Sequence, residues 1–249
     1  MRVNWDPTIQ DFQRFEFKYV VPNQMALAIR DEVEEFLEID PNLEKTGKER
    51  YVVRSLYFDN PSHDFFYEKT DGLKTRRKYR LRAYGSSKRE VSNFFLEQKG
   101  RNNQKTFKHR KPFDISALNQ FDVDGGVFWL ESNLSEHQFI KEYVFDTVRR
   151  GLQPSVLVEY QRQPFISKHD VYFRITFDSD LMCSGAQELF PEMQDLTRCI
   201  PGCTVIELKF LRSIPRWFHR IIHHFELRRV SISKFVVGMK VSGTAIDLS

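Results

Sequence analysis

The feature that most constrains this chain is an alternation of charged and apolar residues that returns in segment after segment. In "TRRKYRLRAYG" (residues 75–85), Arg76, Lys78, Arg80 and Arg82 take every second position. "RFEFKYV" sets Arg14, Glu16 and Lys18 against Phe15, Phe17 and Tyr19. "FFLEQKG" puts Glu97 with Lys99, "KTFKHRK" aligns Thr106, Lys108 and Arg110, and "VEYQRQ" joins Tyr160 to Arg162. "FRITFD" aligns Arg174, Thr176 and Asp178, and "VIELKF" sets Glu207 and Lys209 against Ile206, Leu208 and Phe210. A period of two is that of a β-strand, whose successive side chains point to opposite faces. Strands are predicted near residues 14–20, 51–58, 76–84, 93–99, 104–110, 155–163, 171–178 and 204–210.

Three segments carry helical spacing instead. Residues 22–40 place Met25, Ile29, Val33 and Phe36 on one stripe. Residues 135–151 open with Ser135 and Gln138 in capping-box spacing and close on Gly151. Residues 215–229 begin at Pro215 and carry Trp217, Ile221 and Phe225. Many strands and few helices predict an α+β chain, mainly β, with one antiparallel sheet closed into a barrel or folded as a sandwich. At 249 residues the chain has room for one or two domains, and its 41% hydrophobic content with 23 Phe supplies a core.

On a single strand, such alternation says only that a polar face meets water and an apolar face meets the core. Here the charged faces recur in nearly every strand and are mostly cationic, with isolated carboxylates. The opposite faces are rich in aromatic residues that helices can cover from outside. That pattern predicts a barrel with a charged interior and an apolar exterior. Buried charge is costly unless a ligand or water neutralises it, and a polyanion would do so. Arginine presents a planar fork to phosphate oxygens and lysine a compact point charge. A carboxylate among phosphates suits Mg²⁺ or Mn²⁺, which prefer oxygen ligands. Phosphoryl transfer needs chiefly positioning and charge neutralisation, so these residue types are compatible with it.

Composition narrows the alternatives. Net charge is +4, from 38 basic and 34 acidic residues, which argues against a uniformly basic nucleic-acid binder. No nucleic-acid partner is expected. Three cysteines form no disulfide framework and favour a reducing compartment. The N-terminal residues lack the apolar core of a signal peptide, and no apolar run approaches the ~20 residues that span a bilayer. The expectation is a soluble cytoplasmic protein or the soluble part of an assembly. His219 and His223 are at i, i+4 without the glutamate of a zinc-protease motif, and Cys199 and Cys203 lack companions for a zinc site. Phosphate-loop, dinucleotide-fold and hydrolase-elbow glycine motifs do not occur.

The ordered set "RFEFKY", "SLYFD", "RKYRLRAYG", "FLEQKG", "FKHRKP", "VEYQRQPF", "RITFDSDL", "VIELKF" and "SISKF" resembles the VTC (vacuolar transporter chaperone) catalytic domain, a branch of the triphosphate tunnel metalloenzymes. The resemblance covers roughly residues 10–240 and implies a single domain over 1–249, built on an eight-stranded antiparallel tunnel barrel with helices packed outside. It also implies polyphosphate synthesis, with ATP donating its γ-phosphate and a divalent metal, Mn²⁺ or Mg²⁺, in the tunnel. By motif it casts Arg80, Arg82 and Lys99 as phosphate contacts, Lys18 beside the triphosphate, and Arg162 and Arg174 in the cationic ring. Glu207 becomes the metal ligand with Lys209 beside it, and Ser233 and Lys234 reach the phosphates from the C-terminal segment. Tyr160 and Lys78 join the substrate-binding set. Lys108 and Arg110 join it too, although the register of "KTFKHRK" could slip by one. Arg76 is expected at the tunnel mouth and Arg77 outside. Arg14 stands where many tunnel hydrolases carry a second acid, which favours the VTC branch over a two-metal hydrolase. Alternatives are an inorganic or nucleoside triphosphatase and a non-catalytic polyphosphate sensor. The chain lacks membrane-spanning parts of the fungal complexes, so a membrane-protein partner in trans is a further expectation.

Overall fold

The computed structural model describes residues 15–44, 46–103, 105–134, 137–167, 170, 172–193 and 195–246. Arg14 and Ser135 lie outside the described residues. The chain runs through β1 (Phe15–Pro22), α1 (Asn23–Glu34), β2 (Leu37–Ile39), α2 (Pro41–Glu44), β3 (Tyr51–Asp59), α3 (Asp64–Thr70) and β4 (Thr75–Ala83). Next come β5 (Asn93–Asn102), β6 (Lys105–Asp114), α4 (Phe121–Asp124), α5 (Val127–Leu134), α6 (Gln138–Arg150) and β7 (Gln153–Ser167). It closes with β8 (Arg174–Ser184), β9 (Thr197–Arg198), β10 (Cys203–Phe210), α7 (Arg216–His224) and α8 (Lys234–Val241).

All eight predicted strands are present in one antiparallel sheet, ordered β1-β10-β8-β7-β3-β4-β5-β6, with β2 added to β7 and β9 to β8. The sheet curls strongly. Lys99 Nζ of β5 lies 3.1 Å from Glu16 Oε2 of β1, although five strands separate the two along the sheet. Among the described residues no β1–β6 ladder closes the ring. The segment leading to α8 lies against β1 instead, with Val230 N–H donating to the Lys18 carbonyl at 2.8 Å and Lys18 Nζ donating to Ile232 O at 3.3 Å.

The convex face is apolar, as the alternation predicts, and two clusters cover it. Leu56, Phe58, Tyr79, Leu81, Phe94 and Leu96 pack with Phe65 and Phe66 of α3, Leu130 of α5 and Tyr143 of α6. Tyr19, Ile175, Phe177, Ile206 and Leu208 pack with Ile29 and Val33 of α1 and Phe218 and Ile221 of α7. Burying each such side chain is worth about 1.5–3 kcal/mol. This hold explains why β4 stays a strand despite its cations: Tyr79 and Ala83 are fully buried on its other face. Arg77 points outward, as expected, and pairs with Asp146 of α6 at 2.5 Å. The Tyr79 hydroxyl donates to the same carboxylate at 2.7 Å, tying β4 to α6.

The helix predicted over 22–40 ends at Glu34, because Leu37 and Ile39 alternate with Glu38 and ladder onto Phe165–Ser167 of β7 as β2. Phe36 therefore leaves the helical stripe and stacks on Trp217 at 4.4 Å. One helix lies inside. Gly238 of α8 sits so close to β7 that an added Cβ would meet Val158 Cγ2 at 2.9 Å and Val156 Cγ2 at 3.2 Å. Those valines share their strand face with Tyr160 and Arg162, so α8 rests on the concave side. Phe235 and Met239, one turn apart, are fully buried there and anchor the N-terminal end of α8 facing the charged residues.

Candidate functional site

On β4, β5 and β6 the register lines up the charged face row by row. Arg80 is opposite Glu97, which is opposite Arg110. One row on, Lys78 faces Lys99 and Lys99 faces Lys108. Beyond that, Arg76 faces Arg101. The pairing settles the register of β6, with Lys108 and Arg110 on the face of Glu97. Like charges placed directly opposite across strands destabilise a sheet, and here two successive rows do so.

Glu97 is the hub of this wall. It is almost fully buried and lies 2.5 Å from Arg80 Nη2, 2.9 Å from Lys108 Nζ, 3.3 Å from Arg110 Nε and 3.9 Å from Arg82 Nε. Burial pushes its carboxyl up, but Arg80, Arg82 and Lys108 together hold it well below the usual range. Arg82 is also held by Ser55 Oγ at 3.1 Å and Tyr160 Oη at 3.4 Å, and Arg80 donates to Tyr57 Oη at 2.9 Å. One carboxylate cannot neutralise the rest of the wall. Burial pulls the Lys108 ammonium down to about 7, with Arg80 and Arg82 adding to the fall and Glu97 opposing it. Burial likewise drives Lys78 well below its ordinary value, reinforced by Lys99, Arg80 and Lys18. The contacts of Lys78 are Ser233 Oγ at 3.3 Å and the rings of Tyr57 and Phe235.

The facing wall, from β1, β10, β8 and β7, is richer in acid. Glu207 lies 3.3 Å from Lys18, 3.6 Å from Lys209, 2.8 Å from Lys234 and 3.4 Å from Arg162. Asp178, fully buried, receives Arg162 at 2.6 and 2.7 Å and Lys234 at 2.6 Å. Glu16 bridges Lys18 and Lys99, each at 3.1 Å. Burial raises the Glu207 carboxyl, yet Lys18, Lys234 and Lys209 more than reverse it. Burial also opposes the Lys234 charge, but Asp178 and Glu207 keep that ammonium firmly protonated. Lys234 Nζ stands 4.7 Å over the Tyr160 ring. It gets there because it opens α8, whose apolar turn is clamped on β7.

Of the residues singled out in the sequence, the fold gathers Lys18, Lys78, Arg80, Arg82, Lys99, Lys108, Arg110, Tyr160, Arg162, Glu207, Lys209, Ser233 and Lys234 onto one interior. Arg174 shares the face of Lys209 through their register, but its guanidinium pairs with Asp40 at 2.5 Å and is half-exposed. Sequence reasoning did not find the hub role of Glu97, the Arg162–Asp178–Lys234 triad or Tyr57. His219 and His223 are exposed, and the three cysteines are free. Among the described residues no three acidic, histidine or cysteine side chains converge on a cation site. The donors that fit a hard divalent cation are Glu207 and Glu16, on either side of Lys18, and they suffice only where phosphate oxygens and water complete the shell.

Comparison with known proteins agrees with this architecture. The family model of the VTC domain matches residues 13–242. Subunit 4 of the vacuolar transporter chaperone complex from Schizosaccharomyces pombe is 24% identical over 93% of this chain, which spans only 38% of that protein's length. A putative adenylate cyclase from Bacillus halodurans shares the fold with a TM-score of 0.54, at 10% identity, over 89% of this chain and 94% of the other. A putative adenylyl cyclase from Hippeastrum, described as having a dominant triphosphatase activity, matches with a TM-score of 0.51 at 10% identity, over 93% and 98%.

Proposed function

Because this chain belongs to the VTC domain family, we propose that it carries out metal-assisted phosphoryl transfer, extending polyphosphate with the γ-phosphate of ATP. The observation that carries the reading is the double row of like charges across β4, β5 and β6, which Glu97 reaches at Lys108 and Glu16 at Lys99. An extended anion removes that repulsion, and a chain of phosphates has the matching linear charge.

In this reading Arg80, Arg82, Lys108 and Arg110 grip the triphosphate oxygens, and Lys78, Lys99 and Ser233 continue the track. Lys18, Arg162, Lys209 and Lys234 face the transferring phosphoryl group and offset the charge that builds on it and on the departing ADP. Arg174 contributes charge from the rim. Asp178 positions Arg162 and Lys234 rather than touching substrate. Tyr160 supplies a ring and a hydroxyl beneath both. Glu207, with Glu16, would hold Mg²⁺ or Mn²⁺, which supplies further neutralisation of the phosphate oxygens. Transfer breaks the bond from the γ-phosphorus to the bridging oxygen of ADP and forms one to the terminal oxygen of the growing chain.

Among the described residues no helix is long and apolar enough to cross a membrane, and the S. pombe relative is a subunit of a complex. A membrane-protein partner in trans, at the cytoplasmic side where ATP is available, is part of the proposal and is supported by that relative's place in a complex. The test is purified protein with ATP and Mg²⁺ or Mn²⁺, read on a gel for long chains and by a phosphate assay. Long chains are the expected product. Phosphate release without chain growth would make the protein a triphosphatase. Tight polyphosphate binding that survives Glu207→Ala, with no turnover by the wild type, would make it a sensor.

A further inference from the structure

The two ends of the charged face differ in chemistry. At the start of β4 and the end of β5 it finishes on Arg76 and Arg101. At the other end it turns aromatic. Tyr51 opens β3 on the strand face of Val53 and Ser55, Tyr84 follows β4 with the parity of Arg82, and Phe95 faces Arg82 directly. The three rings form a row, with centroids 5.6 Å apart for Tyr51–Tyr84 and 5.8 Å for Tyr84–Phe95. Arg110 joins this row to the phosphate wall. Its guanidinium lies 3.5 Å over the Phe95 ring, donates to Tyr84 Oη at 3.0 Å, and keeps Nε 3.3 Å from Glu97. None of the three rings is fully buried, and Tyr84 is 37% exposed.

Resting on the reading of the interior as a triphosphate site, the geometry points to this aromatic end as the seat of the nucleoside, which gives the interior a direction. A nucleoside triphosphate combines a flat apolar base with a tetra-anionic tail. The other rings beside the phosphate-gripping cations, Tyr57, Tyr160 and Phe235, are buried, whereas the ring of Tyr84 stands open beside Arg110. The base stacks on Tyr84, with Phe95 edge-on to that ring at 70° and backed by Arg110. The tail runs past Arg110 toward Lys78 and Lys99, and the growing polyanion leaves toward Arg76 and Arg101. Inorganic tripolyphosphate, lacking a base, has no use for the aromatic row.

Calorimetric titration of wild type, Tyr84→Ala and Tyr84→Phe with ATP and with inorganic tripolyphosphate, both with Mg²⁺, tests this. Base stacking on an aromatic side chain is worth enough to change affinity by about ten-fold or more. Tyr84→Ala is expected to weaken ATP by about that factor and to leave tripolyphosphate within about two-fold, while Tyr84→Phe binds both like wild type. Equal loss for both ligands would overturn the proposal by showing that Tyr84 acts through Arg110 on phosphate. No loss for either would overturn it by placing the base elsewhere. In both cases tripolyphosphate binding by wild type leaves the triphosphate reading standing, whereas a wild type that binds neither ligand sinks both. Saturation-transfer NMR on the wild type needs no variant: the base protons of ATP must receive more saturation than the ribose protons, and the reverse order refutes the seat.

Discussion

The two walls of the interior use the same residue types to opposite ends. On the β4–β5–β6 wall, Glu97 serves Arg80, Arg82, Lys108 and Arg110, and lysine faces lysine across the next row. On the β1–β10–β8–β7 wall, Glu16, Asp178 and Glu207 interleave with Lys18, Arg162, Lys209 and Lys234. The second wall is close to balanced from within, three carboxylates against four cations with Glu16 reaching across to Lys99 as well, and so holds its side chains in place without ligand. The first is left short of negative charge, and the convex-face packing of Tyr79, Leu81, Phe94 and Leu96 holds it together. A surface that repels itself until an anion arrives binds; a surface that is internally paired positions.

The sharpest way to break that division is at Glu207. Glu207→Gln is expected to lower turnover by roughly a thousand-fold, while tripolyphosphate binding measured without metal holds or tightens. Neutralising the carboxylate leaves Lys18, Lys209, Lys234 and Arg162 with one competitor fewer. If binding disappears with turnover, the acid-rich wall is a structural brace and the contrast fails.

Stability gives the next largest effect. Removing one partner of a buried ion cluster costs about 3–5 kcal/mol, so urea denaturation of ligand-free Glu97→Gln should show a loss of that order. Saturating tripolyphosphate should recover much of it, since about 2.7 kcal/mol accrues at a hundred times Kd. Asp178→Asn should lose less, about 1–3 kcal/mol, because Glu207 stays 3.4 Å from Arg162 and 2.8 Å from Lys234. It should also recover less on adding ligand. Equal losses and equal rescue in the two variants would erase the distinction between the walls.

Much of this was legible in the sequence because a strand's period is local. Arg76, Lys78, Arg80 and Arg82 had to share a face, and Tyr79 and Leu81 had to oppose them, whatever the rest of the chain did. Which charges meet was not legible, because register is set by partner strands far away in sequence. Glu97 reads as one acid beside one lysine, and only its pairing with both Arg80 and Arg110 makes it a hub. Lys234 lies 27 residues beyond Glu207 in a segment without strand alternation, and its place depends on α8 entering the concave face. The end of α1 escaped for a related reason: Leu37 and Ile39 extend the helical stripe on paper, but the ladder to β7 competes successfully for their backbone. Arg174 shows the limit from the other side, since parity puts it on the right face while Asp40 takes its guanidinium.

The smallest expected effect probes the first wall by its proton balance. In the ligand-free protein burial, Arg80 and Arg82 pull Lys108 down to about 7, against Glu97, from an ordinary 10.5. A bound phosphate favours the charged ammonium, so above pH 7 binding must take up a proton. Affinity for tripolyphosphate then falls with rising pH by up to about ten-fold per unit on account of Lys108. Ligand-free stability runs the other way. Between pH 7 and 10.5 the unfolded chain holds the proton that folded Lys108 has shed, so this residue's contribution to stability rises with pH across that window. Lys108→Arg keeps its charge throughout. Titrations at pH 7, 8 and 9 in buffers of different ionisation enthalpy should show proton uptake by wild type and less by the variant, whose affinity declines more gently. The same pH slope and the same uptake in both proteins would mean that Lys108 is already charged without ligand, and that the β4–β5–β6 wall is less starved of negative charge than its rows of facing cations imply.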